Sequence, residues 1–338
     1  MFLKDKKILT KRVCALLLGL LVSLELFSYI HRERPRRFDS FAKVPYIEFL
    51  KSNPEKARAY GIFWAFYPNT ATGFQVDDLG VFFSLVPKRF VYFVNNLLIE
   101  NHFRNDLRPP ALRMIPINEG SFLDLLNVRF LVTPATDSLR RMLTGFDETF
   151  GKASPLYEGE ANIYLRGQAL PRAFVVHRGI FVNDEEKTFQ ILKKIRDNFG
   201  KVCVINDTPD AGIALQLKGT DPESPSKVTI EEYSPNNVVI QTELKEPGIL
   251  ILSDSFHPDW KAFVNGKETK IFRTDYLIRS VFLPAGVHEV RFVFAPFSFY
   301  AGLGISFLAA GAIVLLIFGH RLASKRNGQS LALPIKQN

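Results

Sequence analysis

The chain has 338 residues, of which 47% are hydrophobic and 23% charged, and it carries a net charge of +9. Of that charge, +8 falls in the first twelve residues and in the tail from Gly319, so the rest is nearly neutral and offers no basic face for nucleic acid. The two cysteines, Cys14 and Cys203, make no disulfide framework, and no CxxC, HExxH, Walker loop or GxSxG elbow is present, so no metal, cofactor or catalytic residue is assigned.

Lys4, Lys6, Lys7, Lys11 and Arg12 precede an apolar run from Val13 to Ile30 that is interrupted by Glu25. Such a run is either a signal peptide or an uncleaved anchor. The residues Phe27-Ser28-Tyr29-Ile30, followed by charges, lack the small side chains of a cleavage site, which favours the anchor. Glu25 is costly at the bilayer centre, and it either pairs with a partner helix or stays protonated or near the interface. HRERPRR at 31–37 is a solvated juxtamembrane linker or a contact to anionic headgroups.

Pro45 suits the first turn of a short helix that Asn53-Pro54 ends. From Gly61 to Val94 the chain is dense in aromatic residues, which serve a core more often than a sugar-stacking platform. The adjacent Asp77-Asp78 reads as turn chemistry, with a divalent-ion or acid/base role as the alternative. NVRFLVT at 127–133 is a strand closed by Pro134, and 138–149 is a helix. Residues 163–165 and 174–177 are strands, 187–199 a helix stopped at Asn198-Phe199-Gly200, and 201–205 a strand, together an α/β layer next to a sandwich further along the chain. KGTDPESPSK at 218–227 is the best internal linker.

Beyond it, apolar alternation over 228–233, 238–244, 248–253, 261–264 and 268–272 gives short strands. Val290, Phe292 and Phe294 share one face, opposite Glu289, Arg291 and Val293. Asn265-Gly266 accepts the positive φ values of a two-residue hairpin, and Pro284-Ala285-Gly286 makes the next turn. Roughly seven strands at this spacing predict an antiparallel sandwich. Immediately after Pro296, residues 297–318 hold no charge over 22 positions, enough to cross a hydrocarbon core of about 30 Å as a helix. Within it Gly302, Ser306 and Ala310 recur every four positions, a spacing that suits close packing against another helix.

The expected fold class is α+β and membrane-anchored, with two transmembrane helices flanking an extracytoplasmic α/β region and a C-terminal antiparallel β-sandwich. The expected order is a cytoplasmic basic tail (1–12), a transmembrane helix (13–30), the α/β region (31–217), the linker (218–227), the sandwich (228–296), a second transmembrane helix (297–318) and a cytoplasmic basic tail (319–338). Both termini are placed in the cytoplasm because the tails hold eight nearby basic residues against six in the intervening loop.

LLNVRFLVTP at 125–134, ALPRAFVV at 169–176 and the run from EYSPNNVVIQTELKEPGILILSDSFHPDW to VHEVRFVFAPFSF resemble the C-terminal part of YfhO-type bacterial membrane proteins. The resemblance implies a GT-C-like architecture, in which a polytopic helical core precedes an extracytoplasmic α/β and β-sandwich region and a last helix. It also implies transfer of sugar from a polyprenyl-phosphate carrier to a cell-envelope polymer. The family's catalytic acidic residues are expected in a first extracytoplasmic loop, but here the loop after the first apolar run offers only Glu33 and Asp39 amid arginines, so no catalytic residue is carried over.

The resulting expectation is a non-catalytic accessory module in envelope glycosylation, integral to the bacterial cytoplasmic membrane. Its expected partners are the lipid bilayer, a polytopic membrane glycosyltransferase and envelope glycan. A split or truncated glycosyltransferase is the alternative. Candidate glycan-binding residues are His257, Asp259 and Trp260, with Arg273, Asp275 and Tyr276 in the facing turn, because aromatic rings beside charged groups stack on and hydrogen-bond sugars. The competing reading is an ordinary tight loop in which Trp260 caps the core.

Overall fold

A computed structural model describes residues 11–32, 43–53, 57–62, 65–66, 70–80, 86–98, 120–135, 154–208, 211–217 and 226–329. It divides into two compact units, Met1–Val44 and Pro45–Asn338. In the first unit Lys11–Arg32 is one continuous helix that holds the apolar run Val13 to Ile30. Among the described residues one helix is long and apolar enough to cross a membrane: Phe297–Gly319, within the helix Phe297–Gln329. The first of the two expected spans, at 13–30, is therefore not confirmed.

Among the described residues the second unit contains three sheets. β1 (Arg58–Gly61), β2 (Val128–Pro134) and β3 (Ala161–Leu165) form the smallest, β1 parallel and β3 antiparallel to β2. β4 (Ala173–Val176), β5 (Arg178–Phe181) and β6 (Val202–Ile205) precede the expected linker, whereas eight strands come after it. These are β7 (Lys227–Tyr233), β8 (Asn237–Leu244), β9 (Gly248–Ser255), β10 (Trp260–Val264), β11 (Lys267–Thr269), β12 (Phe272–Thr274), β13 (Ile278–Leu283) and β14 (Gly286–Phe294). Five of them make one sheet in the order β11-β10-β14-β8-β7. The second large sheet runs β4-β9-β13-β12-β6-β5 and draws strands from both sides of 218–227. Residues 31–217 and 228–296 thus share a sheet, because β9 has an open edge that β4 fills over Ala173↔Leu252 to Val176↔Ile249.

The two large sheets close over Val238, Ile240, Leu250, Leu252, Val281 and Phe292. The opposite face of the six-stranded sheet presents Val176, Val204, Ile249 and Ile251 to a second core, built with the helices Gly120–Leu125 and Glu185–Ile195 and with the smallest sheet. β9 is therefore buried on both faces, which explains why GILIL is continuously apolar where β14 alternates. Each fully buried leucine or isoleucine contributes about 1.5–3 kcal/mol. The helix Glu185–Ile195 is started by Asp184, whose Oδ1 accepts the Lys187 amide at 2.7 Å, and carries Glu185 and Glu186 in its first turn and Lys193 and Lys194 in its last, the signs its dipole favours.

The hairpin turn forms at the expected place: Asn265 has φ 50° and Gly266 φ 78°, and Val264 pairs with Lys267 across it. Placing a β-carbon at Gly266 by Gly266→Ala is expected to cost about 1 kcal/mol, measurable as a lower urea midpoint at unchanged slope. The helices at 45–51 and 185–195 and the strands at 128–134, 161–165, 173–176 and 202–205 also form. The expected helix at 138–149 and the break at Pro54 lie outside the described residues.

Candidate functional site

Asp254 stands near the C-terminal end of β9, where the apolar run changes to Ser-Asp-Ser. It is 8% exposed. Arg58 on β1 donates from Nη2 to Asp254 Oδ1 at 2.7 Å, and from Nη1 to the carbonyls of Leu126 and Ser253. Arg172, just before β4, donates from Nε to the same oxygen at 2.9 Å and from Nη1 to Asp77 Oδ2 at 2.9 Å. Arg279 on β13 donates from Nη2 to Asp254 Oδ2 at 3.1 Å, and the Tyr233 hydroxyl reaches both carboxylate oxygens at 3.1–3.2 Å while accepting from Arg172 Nη2.

Three guanidinium groups therefore face two carboxylates, and the cluster keeps a net positive charge. Burial by itself pushes the Asp254 carboxyl up, but Arg172, Arg58, Arg279 and the Tyr233 hydroxyl outweigh it and hold the group below the usual carboxylate range. Burial and the nearby Asp254 push the Tyr233 phenol up to about 12. Burial also lowers the Arg279 guanidinium to about 10, only partly offset by Asp254. Arg172 goes the other way: its burial is more than offset by Asp254, Tyr233 and Asp77. An ionised carboxylate with both oxygens occupied is neither a proton donor nor an open metal ligand. Its chemistry is that of a clamp, tying β1, β4, β7, β9 and β13 together at one end of the sandwich.

That end is the one from which the chain enters the apolar helix Phe297–Gln329. Trp260 pairs with Phe294 in register, Asn237 with Val293, and Tyr233 with Val238, so these strand ends lie level with the last residue of β14. Trp260 lies over Arg279, 3.9 Å from ring centroid to guanidinium carbon, and 5.2 Å from the Phe294 ring. His257 is 5.6 Å from Phe294 and accepts the Asp259 amide on Nδ1 at 3.2 Å.

The six expected glycan contacts do not converge. His257 and Asp259 reach solvent and Trp260 keeps a partly exposed edge. Asp275 and Tyr276, expected to be exposed, are 0% and 1% exposed, which corrects that reading. Their turn is folded inward because Asp275 Oδ1 accepts the Val204 amide at 2.7 Å and Tyr276 N–H donates to Asn206 Oδ1 at 2.8 Å. Tyr276 packs 4.5 Å from Phe189, and Arg273 donates to the Asn206 carbonyl at 3.4 Å, a side of the sheet apart from Trp260. Gly302, Ser306 and Ala310 are exposed on the last helix, where Ser306 Oγ donates back to the Gly302 carbonyl at 2.9 Å. Asp78 does act in a turn, its Oδ1 accepting the Gly80 amide at 3.0 Å, but Asp77 joins the Asp254 cluster.

Sequence reading passed over Arg58, Arg172, Tyr233, Asp254 and Arg279. A signal existed. Asp254 in ILILSDS and Arg279 in LIRSVFL each interrupt an apolar strand, Arg172 in ALPRAFVV directly precedes one, and a charge buried at such a place needs a partner.

Two hollows adjoin these elements. One of about 220 Å³ is mostly apolar and lined by Leu79, Pro87, Phe90, Leu277 and Ile278, with Arg58 in its wall. The other, about 570 Å³, is polar and open; it holds Ser121, Asp124 and Asp197. There Arg166 pairs with Asp124 at 2.6 Å, yet burial keeps that carboxyl above its ordinary range. Among the described residues no group of three or more His, Cys, Asp or Glu side chains is placed to hold a metal ion.

No curated protein and no solved structure shows significant similarity to the chain. Residues 220–306, which include β7 to β14 and the start of the last helix, match the family described as bacterial membrane protein YfhO, so this part of the chain is similar to that family.

Proposed function

We propose that the chain is a membrane-anchored, extracytoplasmic module that serves a polytopic glycosyltransferase of the bacterial cell envelope without carrying the chemistry itself. The observation that carries this reading is the closed charge cluster: the YfhO-type domain holds its buried carboxylate Asp254 ionised and saturated by arginines, as a scaffold and not as an acid, base or metal ligand. The apolar helix Phe297–Gly319 is its anchor, and the helix Lys11–Arg32 is read as a second one. The basic residues flanking both helices favour tails in the cytoplasm and the β-domain outside.

Purification from native membranes through a C-terminal tag is expected to bring down a polytopic transferase at fixed stoichiometry. Recovery of the chain alone would sink the accessory reading. The exposed stripe Gly302, Ser306, Ala310 is the docking face we assign for that partner. Gly302→Leu with Ala310→Leu is expected to weaken the association about tenfold, in line with about 1–2 kcal/mol for a close helix–helix contact. An unchanged yield of partner would remove the stripe from the interface.

A further inference from the structure

The loop from Phe256 to Trp260 closes the sandwich at the end where the chain leaves for the span. Trp260 is opposite Phe294, and Phe294 is three residues before Phe297, the first residue of the apolar helix. At about 3.3–3.6 Å per residue over three residues, plus the strand-to-strand step of about 5 Å, the Trp260 backbone lies at most about 16 Å from the start of the span. The headgroup layer occupies about 5–7 Å on each side of the hydrocarbon core. The Ala295 amide donates to the Asp259 carbonyl at 3.0 Å, which fastens the loop to the segment entering the bilayer and keeps it from swinging away.

The chemistry of this end fits the interface. Phe297, Phe299 and Tyr300 are 80%, 63% and 59% exposed, with Phe294 and Trp260 half-buried beside them. The helix from Gly302 onward lies in the open, so it does not fold back to cover them. Aromatic side chains with a polar tip gather at the headgroup level. Trp260 is held rigidly by Arg279 beneath it, and Arg279 is fixed by Asp254. His257 and Asp259 are the titratable groups of the loop, giving it little net charge.

We propose that the loop Phe256–Trp260, with Phe294 and the first turn of the span, is a membrane seat: Trp260 inserts into the phospholipid headgroup layer of the bilayer that holds the chain's own helix. The seat keeps the β-domain upright on the membrane, and the Asp254 cluster transmits that fixed stance into the core. It rests on the anchoring of the helix Phe297–Gly319 proposed above.

The test uses the full chain in vesicles of phosphatidylethanolamine and phosphatidylglycerol containing phospholipids brominated either high or low on the acyl chain. The chain has two tryptophans, Trp64 and Trp260, so Trp64→Phe leaves Trp260 as the reporter. The wild-type minus Trp260→Phe difference gives the same signal if that variant folds poorly. Trp260 emission is expected to shift to the blue, to be lost to bromines high on the chain and less to low ones, and to be shielded from aqueous acrylamide. Emission indifferent to bromine and open to acrylamide overturns the seat. Alkaline carbonate extraction of the same vesicles separates the two readings: a released chain defeats the anchoring, whereas a retained chain with an unquenched Trp260 defeats the seat alone.

Discussion

Asparagine in place of Asp254 is expected to cost about 3–5 kcal/mol of stability, the range for removing one partner from a buried ion cluster. The loss comes from the charges left behind: Arg58, Arg172 and Arg279 remain buried, and among the described residues only Arg172 of the three keeps an ion pair to another carboxylate, Asp77. Urea unfolding of the full chain in detergent, followed by near-ultraviolet dichroism, reads the effect directly. A loss below about 1 kcal/mol would mean that the arginines find water, as in exposed ion pairs. The pH dependence has a fixed sign. Because the folded carboxyl is held below its ordinary value, its contribution is complete above the unfolded pKa near 3.9 and disappears as pH falls through the lower folded value. Wild type therefore carries an acid-sensitive limb that Asp254→Asn lacks.

Asp275 gives the opposite slope. Its carboxyl is fully buried and accepts one hydrogen bond, from the Val204 amide, while Oδ2 has no partner among the described residues. Burial pushes it from 3.8 to about 7, and that amide bond lowers it only in part. Between those values the unfolded chain releases a proton that the native one retains, so stability falls as pH rises from about 4 to about 7 and is flat above. At 1.36 kcal/mol per pH unit the interval corresponds to as much as about 4 kcal/mol. Asp275→Asn keeps the acceptor for Val204 and tolerates the φ of 47°, so it is expected to flatten this slope and to unfold at higher urea than wild type at about pH 8. An unchanged slope would show that water or a bound cation reaches the carboxylate.

The two carboxylates therefore divide the domain. Asp275 knots β6 to the turn between β12 and β13, and it is the group whose charge the fold resists. Asp254 fixes the end of the sandwich that carries Trp260, through Arg279, and it is the group whose charge the fold requires. The match of residues 220–306 to a bacterial membrane family takes in both positions.

Local pattern was enough for β7 to β11 and for β14 because period-two alternation, the Asn265-Gly266 turn and Pro284-Ala285-Gly286 act over a few residues and need no distant partner, whereas β12 and β13 were not read as strands. The same holds for the apolar helix at 297–318, whose hydropathy is a property of consecutive residues. Sequence by itself also settled where the charge lies. Tertiary structure decided the rest. That β4, β5 and β6 join the second sheet across the polar stretch 218–227 depends on which strand edge is left open, and edges exist only once strands have paired. That Asp275 and Tyr276 turn inward depends on the Val204 and Asn206 backbone and side-chain partners about 70 residues earlier in the chain. The cluster brings Arg58, Arg172, Tyr233 and Arg279 to Asp254 from four other strand ends, and a charge that looks like an isolated interruption in each local string acquires its partner only when the sheets close.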